Sequence, residues 1–381
     1  MKKRVYLDHN ASTPVSKSVQ KAFQRALSCF SNPSALYSSA RESKEKIESA
    51  RDIISTQLDC EPHSIIFTSS GSESNNHVLQ SMFFRTFPFT NKPPHFILSA
   101  IEHSSLKTTA ERLAQLGAAI SYLPCDSQGY VVPSQLHAMI TDQTCLISVM
   151  LANNEIGTIQ PIQDIVAIAN DHGRICVHTD AAQAIGKIPV SITSLGVDFL
   201  SFSGHKFSAP KGIAGLYVKE DSQLTPLIYG GSQERKLRAS TENVPGIIAL
   251  AEAIKTIDPN TYIAQIQPLR AQLLSGLETL THPSLIHNNF SDKVLSNTIN
   301  VAFPGVSGHT LAMQLDLAGI EVSTGSACSV GAIEPSHVLE ACGVPKDINL
   351  SSLRISLGLE TSPQDIDYLL STLSDLLSRT H

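Results

Sequence analysis

The sequence predicts an α/β fold with a large domain, built on a mainly parallel sheet covered by helices, and a smaller α+β domain. Three observations lead to this prediction. Short apolar runs without strict alternation recur before residue 260, as in strands buried on both faces. Segments of helical periodicity lie between several of these runs, which is the order that parallel sheets require. Beyond residue 260 the short apolar runs give way to longer segments with mostly helical periodicity.

The elements follow in chain order. The predicted strands are Ser64–Thr68, His95–Ser99, Cys145–Leu151, Arg174–His178, Asp198–Phe202 and Gly215–Val218, with helices at Ser104–Leu116 and Pro161–Asp171. Beyond residue 260 the predicted helices are Ile263–Leu280, Gly308–Leu317 and Pro363–Leu377, and the one predicted strand is Thr298–Phe303. We expect residues 16–260 to form the large domain, and residues 1–15 with 261–381 to form the small one.

Composition excludes several classes of protein. The 381 residues are 42% hydrophobic, enough for a large core, and their net charge is −6 with basic residues scattered among acidic ones. No basic stripe is present, so nucleic acid is not an expected partner. Seven cysteines at irregular spacings predict free thiols in a reducing compartment. The N-terminus lacks the apolar part of a secretory signal and no stretch has membrane-spanning length, so we expect a cytoplasmic protein without a membrane partner.

Lys206 and Asp180 point to a specific chemistry. Lys206 ends the turn Ser201–Lys206 after a predicted strand, and Asp180 stands in Val177–Gln183. Pyridoxal phosphate needs a lysine as a Schiff-base partner and an acid opposite its pyridine nitrogen. A solvated lysine and a metal site using His178 and Asp180 are the alternatives, and no third ligand at suitable spacing supports the metal.

Three polar turns follow predicted strands and suit a ligand. Gly71 and Ser72 open a helix whose amides would hold a phosphate, although an ordinary serine N-cap explains the same residues. His103 opens another helix, where it would lie over a cofactor ring, shuttle protons or only cap the helix. The segment Asn153–Gly157 ends an apolar strand with two amides, which favours a site over packing.

Cys328 and Arg354 are the remaining candidates. Cys328 lies in the run Ser323–Gly331, whose small residues we expect to pack poorly and to be mobile and exposed, as a nucleophilic thiol requires. The other cysteines mostly stand in apolar runs. Arg354 interrupts an apolar strand and needs a carboxylate, which a structural salt bridge or an amino-acid substrate would supply.

Taken together, these motifs resemble the cysteine desulfurases of the fold-type I, class V aminotransferase family, over almost the entire chain. The matching segments are Tyr6–Ala11, Asn32–Ser34, Phe67–Ser74, Glu102–His103, Asn153–Gly157, His178–Gln183, Ser201–Lys206, Gly325–Cys328 and Arg354–Gly358. The resemblance implies a seven-stranded sheet in the large domain and pyridoxal 5'-phosphate as the cofactor.

The resemblance also assigns roles to individual residues. Lys206 would carry the cofactor, Asp180 would meet its pyridine nitrogen and His103 would stack on its ring. The resemblance places Gln183 and Asn154 near the ring hydroxyl, with Asn154 also at the substrate, whose carboxylate Arg354 would grip. The phosphate would meet Gly71, Ser72, Ser203, His205 and, from a second subunit, Thr241, which implies a homodimer with sites at its interface.

The implied reaction removes sulfur from L-cysteine and leaves L-alanine. Lys206 would take the Cα proton, and Cys328 would attack the substrate sulfur and pass the resulting persulfide to an iron–sulfur scaffold or another acceptor protein. No intrinsic metal is expected, although Cys328 would transiently bind a cluster iron with such a scaffold. A selenocysteine lyase, an aminotransferase and a silent scaffold protein are the alternatives. The chain ends at His381, where housekeeping members carry a longer tail that helps dock the scaffold.

Overall fold

A computed structural model describes residues 4–86, 92–173, 175–287, 293–325 and 334–379. The strands within these ranges are β1 Val5–Tyr6, β2 Ile65–Thr68, β3 His95–Ser99, β4 Ala119–Leu123, β5 Thr144–Ser148, β6 Cys176–Asp180, β7 Phe199–Ser203, β8 Ala214–Val218, β9 Leu285–His287, β10 Thr298–Ala302, β11 Ile320–Glu321 and β12 Ser352–Ser356. The helices are α1 Lys17–Ala26, α2 Ser38–Leu58, α3 Gly71–Thr86, α4 Ser104–Gln115, α5 Leu136–Met139, α6 Ile162–Asp171, α7 Ile192–Leu195, α8 Val244–Thr256, α9 Pro259–Glu278, α10 Gly308–Ala318, α11 His337–Ala341, α12 Lys346–Leu350 and α13 Pro363–Leu377.

A seven-stranded sheet forms the centre, in the order β2-β8-β7-β6-β5-β3-β4. Only β8 runs against its neighbours β2 and β7, and the remaining pairs are parallel. This confirms the predicted fold class and strand number. The apolar runs form strands because helices cover both faces and exclude water from them. The sequence analysis missed β4, an edge strand that is largely accessible to solvent and therefore has no continuous apolar run.

Element ends differ by a few residues from the prediction. Strand β6 continues to Asp180, and the predicted residue Arg174 lies outside the described residues. Helix α9 begins earlier, at Pro259, because the Asp258 side chain accepts from the backbone N–H groups of Asn260 and Thr261. Such caps are local signals that a search for apolar periodicity overlooks.

Apolar side chains form separate clusters on the two faces of the sheet. One cluster packs α2, α6 and α8 against one face, and another packs α3 and α4 against the opposite face. A third joins α9, α10 and α13 to the small sheet β12-β10-β9 and includes Val5 and Leu7. The predicted division, with the N-terminal residues joined to the C-terminal domain, agrees with this third cluster and stays a prediction. No helix in the described ranges is long and apolar enough to cross a bilayer.

Candidate active site

The ends of β6 and β7 bring the two central candidates to one edge of the sheet. The strands are parallel neighbours, and Asp180 pairs in register with Ser201. Beyond β7 the chain makes a single 3₁₀ turn, Gly204–Lys206. The half-buried Lys206 donates from Nζ to the carbonyl oxygens of Asn10 at 2.7 Å and Ala11 at 3.0 Å. Lys206 is therefore held at the strand end and is not a freely solvated lysine.

Asp180 is a buried carboxylate held by two donors. Asn75 Nδ2 donates to Oδ2 at 2.7 Å, and the backbone N–H of Ala182 donates to Oδ1 at 2.9 Å. Asn75 lies in the second turn of α3, so the helix positions the carboxylate. A carboxylate oxygen accepts more than one hydrogen bond, which leaves Asp180 able to receive the N–H of a protonated pyridine ring.

His103 is the N-cap of α4, and its Nδ1 accepts from the backbone N–H of Ser105 at 3.1 Å. The capping role considered from the sequence is thus present. Burial lowers the pKa of His103, Asp180 opposes this, and Lys206 lowers it further. A lowered pKa favours the neutral ring, and a neutral ring that accepts at Nδ1 has its N–H at Nε2. Ser105 Oγ lies 2.9 Å from His103 Nδ1 and accepts from Asn75 Nδ2 at 2.9 Å. Asn75 also donates to Asp180, so His103 lies close to that carboxylate.

The first turn of α3 abuts the end of β7. A Cβ built on Gly71 would lie 3.4 Å from Ser203 Cβ. Ser70 Oγ accepts from the backbone N–H of Glu73 at 3.1 Å, so the serine cap is also real, while Ser72 is exposed. Helix amides and the Ser203 hydroxyl together form a cradle suited to a phosphate.

The other predicted phosphate ligands are less closely joined to this cradle. His205 Nδ1 lies 3.2 Å from Ser12 Oγ, and burial, with a further contribution from Lys206, lowers the pKa of His205 to about 4. Thr241 is exposed and follows the loop 230–240. The structure therefore places His205 beside Lys206, and the role of Thr241 toward a phosphate stays a prediction.

Gln183 and Asn154 meet around Asn10. Gln183 Nε2 donates to Asn10 O at 2.9 Å, and Asn10 Nδ2 donates to Asn154 O at 3.1 Å. Asn10 also donates from Nδ2 to Thr298 Oγ1 at 2.8 Å. The opening motif of the chain thus links the large sheet to β10.

His178 has a structural role. Its Nδ1 lies 2.9 Å from Ser148 Oγ and its Nε2 lies 2.9 Å from Ser201 Oγ, so the ring connects β5, β6 and β7. Burial lowers the pKa of His178 to about 4. Both ring nitrogens are engaged, which opposes the alternative of a metal site with Asp180. No cluster of three potential metal ligands occurs in the described ranges.

Arg354 lies on β12 and already has a carboxylate partner. Its Nη2 donates to Asp8 Oδ1 at 2.7 Å and its Nη1 donates to Asn154 O at 3.3 Å. The structural salt bridge considered from the sequence is therefore present. Nε is buried with no hydrogen-bond partner among the described residues. The role of Arg354 toward a substrate carboxylate stays a prediction.

Cys328 lies outside the described residues, as do Ser326 and Ala327. The residues flanking this segment both approach one carboxylate. Ser336 Oγ donates to Glu155 Oε2 at 2.5 Å, and a Cβ on Gly325 would lie 2.6 Å from the same oxygen. Burial raises the pKa of Glu155 to about 7.

Sequence reasoning assigned no role to four residues that contact the site. Asn10 and Asp8 lie in the segment Tyr6–Ala11, but the residues that they contact are more than 100 positions away along the chain. Asn75 follows Gly71 by four residues, one helical turn. Lys187 stands in the apolar run 184–190, where a lysine without a nearby acid was a usable signal.

The geometry fits a pyridoxal phosphate: a lysine at a strand end, an anchored carboxylate and a helix N-terminus meet at one edge of the sheet. The chain belongs to the class-V aminotransferase family, because the sequence model of that family matches residues 5–369. The cofactor of the family is pyridoxal 5'-phosphate. Within that family it is a cysteine desulfurase of the IscS and NifS type, as the following relatives show.

Curated relatives match the whole length of the chain. Cysteine desulfurase IscS of Dictyoglomus turgidum is 42% identical, with 100% of this chain and 96% of the relative covered. Cysteine desulfurase IscS of Methanosarcina thermophila is also 42% identical, covering 99% and 93%. Among solved structures, a NifS-like protein has a TM-score of 0.92 at 35% identity, covering 99% of this chain and 100% of the other. A NifS-like protein from Rickettsia africae has a TM-score of 0.87 at 31% identity, with the same coverage.

Proposed function

We propose that the protein takes sulfur from L-cysteine, releases L-alanine and holds the sulfur as a persulfide on Cys328. The observation that carries this proposal is the meeting of Lys206, Asp180 and the α3 N-terminus at one edge of the sheet. Gly325–Cys328 supplies the thiol that an aminotransferase does not need.

Each residue has a separate task in this reaction. Bound pyridoxal phosphate supplies an electron sink for charge that develops at the substrate Cα. Asp180 would hold the protonated pyridine nitrogen of the cofactor, Lys206 would remove the Cα proton, and His103 would supply a neutral imidazole at the site. The Cys328 thiolate bonds to the substrate sulfur while the Cβ–S bond breaks. Cβ keeps the bonding electrons and takes up a proton, and Lys206 returns a proton to Cα, which yields alanine.

Substrate binding is proposed for Arg354 and Asn154. A buried guanidinium with an unpartnered Nε has donor capacity left after its salt bridge to Asp8. Nη1 and Nη2 carry two N–H groups each, so a bound α-carboxylate would accept from those that Asp8 and Asn154 leave available, with Asp8 holding the guanidinium in place. Asn154 already accepts from Arg354 Nη1 through its backbone carbonyl, so the two residues would move together.

A homodimer and a protein acceptor complete the proposal. Several large apolar side chains are exposed, among them Phe30 and Leu36 at 89% and Tyr229 at 79% exposure. Burying them would offset the cost of association and bring Thr241 to the partner's phosphate site. The acceptor would be an iron–sulfur scaffold or another thiol protein. Free thiols at the six described cysteines support a reducing, cytoplasmic setting.

The test measures alanine and sulfide formed from L-cysteine with a thiol reductant. Wild type and the matched control Cys60→Ala should yield both products in equal amounts. Cys328→Ala should bind cofactor normally and yield neither. Equal alanine from Cys328→Ala and wild type would contradict the persulfide role and favour a lyase that needs no enzyme thiol.

A further inference from the structure

Lys187 is a buried lysine at the active site that the reaction outlined above does not use. It is 3% exposed and follows Gln183 by four residues. Among the described residues, no carboxylate lies within ion-pair distance of its Nζ. A buried lysine without an acid is costly, because burial removes the hydration of its charge. A buried amine of this kind is a candidate for a functional role.

The amine of Lys187 contacts two amide oxygens. Nζ donates to Asn10 Oδ1 at 2.9 Å and to Gln183 Oε1 at 2.5 Å. An amide oxygen only accepts, so these bonds fix which end of each amide faces Lys187. Gln183 Nε2 is then turned toward Asn10 O, the same carbonyl oxygen that accepts from Lys206 Nζ at 2.7 Å. Lys187 thus connects to Lys206 through the Gln183 amide and the Asn10 backbone carbonyl, while its bond to Asn10 Oδ1 holds the side chain of the same residue.

The contacts match an uncharged amine. A neutral lysine has two N–H groups and one lone pair, and two acceptors are present. Burial, then the positive charges of Lys206 and Arg354, lower the pKa of Lys187 well below its ordinary value. A cavity of about 40 Å³ adjoins Lys187 and Lys206, and its other titratable lining groups are His9, Tyr262 and Glu360. Burial lowers the pKa of His9 to about 4, so that imidazole is neutral and adds no positive charge beside Lys187.

We propose that Lys187 is a positioning residue: as an uncharged donor it orients the amides of Asn10 and Gln183, and through them holds the Lys206 amine where it meets the substrate Cα. The proposal rests on the role of Lys206 in the proposed function. It predicts that an apolar side chain of similar shape cannot replace Lys187. It also predicts that a permanently charged side chain at this position lowers activity, because its charge repels Lys206.

The test compares the holoenzyme of wild type with Lys187→Met, Lys187→Gln and Lys187→Arg, and with Lys255→Met as an exposed control on α8. We expect kcat/KM for alanine formation to fall about 10- to 100-fold in Lys187→Met, the cost of a misplaced catalytic group. Lys187→Gln should recover part of the loss, because its amide also has two N–H groups. Lys187→Arg should recover none. The pH profile and the cofactor absorbance of Lys187→Met should shift, since Lys206 is held differently.

A second readout does not depend on activity. In the holoenzyme with lysine side chains labelled with ¹³C and ¹⁵N, NMR should show one lysine amine that is uncharged at neutral pH, and that signal should vanish in Lys187→Met and persist in Lys255→Met. The proposal is overturned if Lys187→Met stays within about twofold of wild type with an unchanged pH profile, if Lys187→Arg is fully active, or if every lysine signal is charged at neutral pH. A wild-type enzyme that makes no alanine would instead contradict the proposed function and leave the NMR result to decide the state of Lys187.

Discussion

Two buried polar regions of this molecule differ in how their titratable side chains are paired. The first, which we call the loop anchor, consists of Arg51 on α2 and Glu234 in the loop 230–240. Their two hydrogen bonds are both 3.0 Å long, and each side chain is 4% exposed. The second, the strand-end network, consists of Asn10, Gln183, Lys187 and Lys206, in which the buried Lys187 has no described acid as a partner.

The difference indicates what each region does. In the loop anchor, Glu234 Oε2 also accepts from the backbone N–H of Phe67 at 2.9 Å, so paired charges fasten the loop that precedes Thr241 to β2. In the strand-end network, the two amines are hydrogen-bonded to amide and carbonyl oxygens, and no described carboxylate pairs with Lys187. A buried ion pair suits a structural contact, whereas buried titratable groups without an opposite charge are typical of a functional site.

Replacing Lys206 in the strand-end network should lower activity more than any other substitution in either region. Lys206→Ala removes the group that we propose as the general base, so alanine formation should fall at least about 10²- to 10⁴-fold. Lys211→Ala, an exposed lysine of the same segment, should stay close to wild type. Initial rates of alanine release and the absorbance of the bound cofactor measure the two variants. Equal losses in both would show that the strand end has no special role.

Breaking the loop anchor should cost stability before it costs chemistry. Arg51→Met leaves Glu234 as a buried, unpaired carboxylate, which typically lowers the free energy of unfolding by about 3–5 kcal/mol. The double variant Arg51→Met/Glu234→Met should lose less than Arg51→Met alone, because no isolated charge remains. Urea unfolding followed by circular dichroism gives the values, with the exposed Arg112→Met as control. A double variant that is less stable than Arg51→Met would contradict this account.

Glu155 offers a smaller, pH-dependent test. Burial raises the pKa of Glu155 from 4.5 to about 7, so its protonated form contributes stability in full below pH 4.5 and that contribution is lost as the pH rises through about 7. Within this window the free energy of unfolding should fall by up to about 1.4 kcal/mol per pH unit from this group. Glu155→Gln stays neutral, so its stability should vary less between pH 5 and 7. Identical slopes for the two proteins would place the titration elsewhere.

How much of the structure the sequence predicts depends on how far apart along the chain the interacting residues lie. Strands such as β3 and the helix α13 were predicted correctly because their patterns are local. Lys206, Asp180 and Gly71 could be proposed from the sequence because each stands at or just beyond the end of a strand or helix, in a short recognisable motif. Asp8 as the partner of Arg354, and Lys187 as a neighbour of Lys206, depend on contacts between distant segments. No pattern within one segment indicates such contacts.

The central claim is that Cys328 receives the sulfur atom, and mass analysis tests it most directly. The holoenzyme is mixed with L-cysteine without a reductant, alkylated and digested, and the peptide that contains Cys328 is weighed while alanine is counted. We expect that peptide to be one sulfur atom heavier, in an amount equal to the alanine released in the first turnover, with the other cysteine peptides unchanged. Alanine released while the Cys328 peptide keeps its original mass would contradict the account.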